Sequence, residues 1–213
     1  MSWLISTDGT MTPEEQSALP SEKSIEKLLS LDVKAEDGSS VNFKSLVNDP
    51  SHPRVLVVFV RHFFCGFCEE YVRALMKDVP PATLSAATPP TKLVLIGCGD
   101  STLISDYKKR TGCAYDMYAD SSRATYDSLG FAVTLANNGR KQPEYSDRSF
   151  GSVVVSSFMA NLTAGVTKLF SGGKTNQNGG ELVWEGGELK FIHRMAGTTD
   201  HMGLPALKQQ LGM

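Results

Sequence analysis

Three apolar runs divide the chain, and each is followed by a stretch of helical period. Residues 54–60 read RVLVVFV, residues 92–99 KLVLIGCG and residues 114–120 AYDMYAD. An unbroken β-branched run suits a strand buried on both faces. After the first run, the segment from Cys65 to Val79 places Tyr71, Val72, Leu75, Met76 and Val79 on one helical face, and Pro80 and Pro81 stop it. After the second, DSTLISDYKKRTG predicts a helix with Asp100 or Ser101 as cap and Gly112 as stop. SSRATYDSLG predicts a short helix after the third.

The flanks carry weaker patterns. SEKSIEKLL sets Ile25, Leu28 and Leu29 at helical spacing, LDVKAEDGSSVNF alternates around Asp37-Gly38 as a hairpin does, and FKSLVN suits one helical turn. Downstream, ELVWEGGELKFIHRM predicts a hairpin turning at Gly186-Gly187, and LPALKQQL a closing helix. Phe150, Val153, Val154, Phe158, Leu162, Val166 and Phe170 recur at three- and four-residue steps, which predicts an amphipathic helix over 150–170. PPATLSAATPP reads as a surface loop, SGGKTNQNGG as a flexible loop, and residues 131–149 as irregular.

Strands alternating with helices imply an α/β fold with parallel strands, to which the last hairpin adds antiparallel ones. The expected architecture is a central mixed sheet flanked by helices, in one domain spanning residues 1–213. Residues 1–20 are polar, hold Pro13 and Pro20, and read as a loosely ordered arm; residues 131–180 read as an insertion.

Composition narrows the function classes. With 41% hydrophobic and 21% charged residues the balance is globular, and a formal net charge of −2 gives no footprint for nucleic acid or an anionic membrane. The sequence has no apolar stretch long enough for a membrane span, and its first residues lack the basic-then-apolar order of a secretory signal. Four cysteines in 213 residues do not make a disulfide scaffold. The cytoplasm, a reducing interior, is the expected location.

The chemistry concentrates at Cys65-Gly66-Phe67-Cys68, between a predicted strand and the first turn of a predicted helix. Unpaired N–H groups and the positive end of the helix dipole stabilise a thiolate there, drawing a cysteine pKa from about 8.5 toward roughly 3.5–7.5. Arg61 and His62 precede the pair and add positive charge; Glu69 and Glu70 oppose them. Redox or nucleophilic chemistry is favoured over a metal site, because Cys98 and Cys113 do not form the second close pair a zinc site needs. Cys98 reads as a buried small hydrophobe. Cys113 stays open between exposed bystander and disulfide partner. His193 reads as structural or surface, and His201 either caps the last helix with Asp200 or approaches the thiols. No glycine-rich nucleotide motif follows a strand, so no cofactor is expected.

VVFVRHFFCGFCEEYVRAL, LVLIGCG and QNGGELVWEGGELKFIHRMAGTTDH together resemble the AhpC/TSA-type peroxiredoxin-like family of the thioredoxin superfamily. The resemblance implies a thioredoxin-like fold, thiol redox activity of an antioxidant kind, a peroxide or disulfide substrate, and electrons from a small thiol reductant such as thioredoxin or glutathione. It leaves two registers open. In the thioredoxin pattern Cys65 attacks and Cys68 resolves. In the peroxiredoxin pattern Arg61 takes the proline place, Cys65 the threonine place and Cys68 the attacking place. The thioredoxin proline before the hairpin is absent, since Gln177-Asn178-Gly179-Gly180 stands there, as is the peroxiredoxin arginine, for which Arg61 is a candidate substitute. The position nearer the helix start favours Cys65. Two other readings stay open: a non-enzymatic interaction protein on the same scaffold, and a metal site through Cys65, Cys68 and a histidine. The insertion either covers the active site or forms a homodimer surface.

Overall fold

The computed structural model describes residues 11–137, 143, 145–146 and 171–213. Its sheet has seven strands: β1 (Asp32–Lys34), β2 (Ser40–Asn42), β3 (Arg54–Val60), β4 (Thr91–Gly97), β5 (Asp116–Ala119), β6 (Gly180–Glu185) and β7 (Glu188–Arg194). They lie in the order β2-β1-β5-β4-β3-β6-β7. β3, β4 and β5 are parallel, and β6 runs antiparallel to β3 and to β7. Among the described residues the α-helices are α1 (Pro13–Ser17), α2 (Glu22–Leu29), α3 (Phe43–Val47), α4 (Gly66–Asp78), α5 (Pro81–Ser85), α6 (Ile104–Thr111), α7 (Ala124–Leu129) and α8 (Leu204–Gln210). Among the described residues no helix is long and apolar enough to cross a membrane.

β3 explains the architecture. Side chains alternate across a strand. Leu56, Val58 and Val60 therefore join one core with Tyr71, Val72 and Leu75 of α4 and Ile104 and Tyr107 of α6. Val55, Val57 and Phe59 join a second core on the opposite face with Leu28, Phe43, Tyr126 and Trp184. Each such buried side chain is worth about 1.5–3 kcal/mol of transfer free energy, so an apolar residue is favoured at every position from 55 to 60. α6 and α7 end where the sequence predicts, at Gly112 and Gly130, both at φ +69°, where a side chain would be strained.

Two loops and part of the arm differ from expectation. PPATLSAATPP contains α5, because Pro81 at a first-turn position lacks only an N–H that no helix start uses. In residues 1–20, Thr12 and Glu15 form a reciprocal capping box that starts α1, and buried Gln16 donates to Asp200 Oδ2 and to the Arg194 carbonyl, each at 2.8 Å. The stretch expected as a flexible loop before β6 buries Gln177 and Asn178 completely. The amphipathic helix predicted over 150–170 lies outside the described residues.

Candidate active site

α4 begins where β3 ends, and Cys65 is its N-cap, with extended backbone at φ −81°, ψ 106°. Its sulfur accepts the N–H of Cys68 at 3.4 Å, in the role a serine or aspartate oxygen usually fills. The turn from Arg61 to Phe64 is held by Phe63, whose ring lies against β4. A Cβ on Gly97 would stand 2.5 Å from that ring, so the small residue there makes room for it. On the other side, Gly179 passes so close to β3 that a Cβ would run into the Phe59 carbonyl, and this approach brings Asn178 beside Arg61.

Arg61 is buried and acts as a clamp. Its Nη1 donates to Cys65 Sγ at 3.4 Å, its Nε to Asn178 Oδ1 at 2.9 Å and its Nη2 to the Thr175 carbonyl at 2.7 Å, while its backbone N–H donates to Cys68 Sγ at 3.4 Å. Cys65 is 4% exposed and Cys68 0%. The hydrogen bond from the Cys68 thiol, then the Arg61 guanidinium, His62 and the Cys68 amide, hold Cys65 well below the ordinary thiol range despite its burial. Burial, and then the neighbouring Cys65 sulfur, push Cys68 the opposite way. His62 is also close; burial lowers its pKa to about 4 against the opposing pull of Cys65, with Arg61 adding to the lowering. Arg61 therefore carries the standing positive charge beside the thiol, and His62 adds a smaller favourable contribution.

Behind Cys68 stands a second polar group. His201 Nε2 lies 3.4 Å from Cys68 Sγ, and its Nδ1 lies 2.6 Å from Glu181 Oε1. The other carboxylate oxygen of Glu181 is 2.7 Å from His193 Nδ1 and accepts the Met202 N–H at 3.3 Å. Glu181 and His193 are direct cross-strand partners in β6 and β7. Glu181 is 0% exposed. Burial opposes its charge, yet His201 and His193 hold its pKa down to about 2. The ring of Tyr71 stacks on that of His201, with centroids 4.3 Å apart and planes 7° from parallel.

A family model described as AhpC/TSA antioxidant enzyme matches residues 75–197, more than half of the chain. The chain belongs to the AhpC/TSA antioxidant enzyme family. The matched stretch takes in Glu181 and His193 and begins just past the cysteine pair. The AhpC/TSA chain is 30% identical to human Peroxiredoxin-like 2C over 83% of its own length and 75% of the relative's. It is 29% identical to Peroxiredoxin-like 2C of Takifugu rubripes over 83% and 76%. A solved structure of a candidate electron transfer protein from Aquifex aeolicus VF5 shares the fold at TM-score 0.51 with 11% identity, covering 86% of this chain and 88% of that one. The fold is thioredoxin-like, as the resemblance in the sequence implies.

Of the residues singled out in the AhpC/TSA sequence, Cys65, Cys68, Arg61, His62 and His201 all converge here. His201 does not cap α8, whose N-cap Gly203 makes no side-chain bond. Cys98 is buried at the end of β4, as expected. Cys113 is buried too and forms no disulfide, so it is not an exposed bystander. Glu69 and Glu70 pair with Arg73, and Glu69 also with Arg110, so both have partners away from the thiols. The sequence reading missed Glu181, Asn178 and the role of His193. For Glu181 a signal was present: an acidic residue within the otherwise apolar start of a buried strand requires a partner.

Proposed function

We propose that this AhpC/TSA chain is a thiol oxidoreductase in which Cys65 attacks a peroxide or a disulfide and Cys68 resolves the product. The observation that carries this reading is the placement of the Cys65 sulfur at the cap of α4, where it accepts both the Cys68 N–H and the Arg61 guanidinium. Only a thiolate gains from both donors, and the thiolate is the nucleophile.

With a peroxide ROOH, the Cys65 thiolate attacks the terminal oxygen, the O–O bond breaks, and the alkoxide takes a proton to leave as ROH; Cys65 becomes a sulfenic acid. Cys68 then attacks that sulfur and water departs, leaving the Cys65–Cys68 disulfide. With a disulfide RSSR the same thiolate forms a mixed disulfide and expels RS⁻, and Cys68 displaces the second RS⁻. In both cases the new disulfide is reduced either by two equivalents of a monothiol such as glutathione, which join as one disulfide, or by one equivalent of a dithiol such as thioredoxin, which closes its own. The reducing environment of the cytoplasm suits that cycle. The chain's own residues supply the anionic sulfur, its electrostatic clamp and the second thiol, with no further cofactor in the scheme.

The test is turnover of peroxide and of a small disulfide with a coupled thiol reductant, together with thiol titration. Cys65→Ser is expected to abolish both turnover and the low-pKa thiol. Cys68→Ser is expected to retain one attack per chain and to stop there. A wild type with ordinary thiol pKa values and no turnover of either substrate would sink the reading and favour an interaction role for the scaffold.

A further inference from the structure

The proposed cycle leaves one proton unaccounted for. Cys68 must lose its hydrogen when it resolves the Cys65 adduct, yet it is buried and held as a thiol. We propose that His201 is the catalytic base for Cys68, oriented and electrostatically supported by Glu181, whose other oxygen is pinned by His193. This inference rests on the reading of Cys65 as the attacking thiol.

The geometry fits a base in one defined tautomer. An ionised carboxylate only accepts, so Glu181 fixes hydrogen on Nδ1 of His201 at 2.6 Å and on Nδ1 of His193 at 2.7 Å. Neutral His201 then presents a bare Nε2 to Cys68 Sγ at 3.4 Å. The Tyr71 ring stacked on the imidazole and the Met202 N–H on Glu181 hold both in place. Nucleophile, base and orienting carboxylate thus follow the logic of a triad, built on the second thiol instead of the first.

The order of events follows from counting hydrogens. The Cys68 thiol has one hydrogen and two acceptors, the Cys65 thiolate and His201 Nε2. In the reduced pair the hydrogen supports the Cys65 thiolate. Once Cys65 is bonded to substrate sulfur or oxygen its sulfur is neutral, and the hydrogen turns to His201. The base is therefore engaged only for the resolving step. As Cys68 attacks Cys65, the new S–S bond forms and the Cys65–S(R) or Cys65–O bond breaks. The Cys68 proton passes to His201 Nε2, and the imidazolium faces the Glu181 carboxylate. In the peroxide branch the same proton is available to the departing hydroxide, which leaves as water.

The charged and titratable groups around this unit are Cys65 and Arg61 on the thiol side, Tyr107 and Tyr126 near Cys68, Tyr71 and Tyr145 around His201, and Asp200 beside it. Arg61 opposes a second positive charge nearby. Glu181 is the carboxylate in direct contact with His201.

A chromogenic aromatic disulfide that releases a coloured thiolate at each step separates the two events. The first release reports attack by Cys65, and the second reports attack by Cys68 on the mixed disulfide. In His201→Gln the first phase is expected to stay within about twofold, and the second to slow by about a hundredfold. Its second-phase rate should climb about tenfold per pH unit, because the thiol must now ionise unaided. Glu181→Gln, which keeps a hydrogen-bonding side chain, should slow the second phase alone, and added imidazole should restore it in His201→Ala. Equal slowing of both phases in His201→Gln, or a second phase with unchanged rate and pH profile, would overturn the base assignment while leaving Cys65 as nucleophile. No first release from wild type would overturn both.

Discussion

Arg61 Nη1 lies 3.4 Å from the Cys65 sulfur, a contact through which a side chain four residues earlier helps hold the helix-capping thiol as an anion. Removing it isolates the guanidinium's share. In Arg61→Ala the Cys65 pKa should rise toward the ordinary thiol value. Alkylation of Cys65 at pH 6 should then slow by about tenfold, because well below its pKa a thiol loses thiolate in proportion as its acidity falls. Arg61→Lys, which keeps charge but not the fork that also reaches Asn178 and Thr175, should fall between. Alkylation rates measured across pH, with Cys65 identified by mass, decide this.

The hydrogen bond from the Cys68 thiol is the largest single support for the Cys65 thiolate. Cys68→Ala should therefore raise the Cys65 pKa by more than Arg61→Ala does. Thiolate ultraviolet absorbance titrated in both variants gives the comparison directly. A smaller rise in Cys68→Ala would mean that the two sulfurs do not share that hydrogen.

His62 makes stability depend on pH. Its folded pKa of about 4 lies below the unfolded value of 6.5. Between those values the unfolded chain binds more protons, so stability is full above pH 6.5 and is lost as pH falls toward 4. The loss is on the order of 3 kcal/mol for a difference of this size. Glu181 acts in the same direction lower down: with a folded value of about 2 against 4.5 unfolded, its contribution is lost as pH falls from 4.5 toward 2. Urea denaturation at a series of pH values should show His62→Gln flatter than wild type from pH 6.5 to 4 and parallel to it below.

Two glycines should respond very differently to a methyl group. Gly179→Ala drives a Cβ into the Phe59 carbonyl, and neither backbone can yield without moving Asn178 off Arg61. A loss of about 3 kcal/mol is expected, with a raised Cys65 pKa in the chain that still folds. Gly38→Ala, at φ +83° with open space around it, should cost only about 1–2 kcal/mol and leave the thiols unchanged. Denaturation and thiol titration of both variants test the contrast.

The sheet was legible because its signal is local. RVLVVFV and KLVLIGCG declare doubly buried strands, and Gly112, Gly130 and Gly186-Gly187 mark ends and turns by backbone conformation alone. Cys65 at a helix start was legible for the same reason. α5 was not, since Pro80-Pro81 signals a stop and a start equally well. Burial of Gln16, Gln177 and Asn178 was not legible either, because each is polar and is buried only by partners far off in sequence. Among the charges at the site, the position of His62 beside the thiols was legible because it is local, whereas the fall in its own pKa comes from the core closing over it.

β3 is hydrogen-bonded along both edges, to β4 and to β6, and gripped by a core on each face. In the proposed function a substrate must still reach the sulfur of Cys65, a residue only 4% exposed. The strand beneath that sulfur is held on every side. Two bonds tie the stretch at 172–175 to the turn before α4: Arg61 Nη2 to the Thr175 carbonyl and the Phe63 N–H to the Gly172 carbonyl. Under the proposed chemistry, loosening those two bonds is expected to hasten the encounter between thiol and substrate.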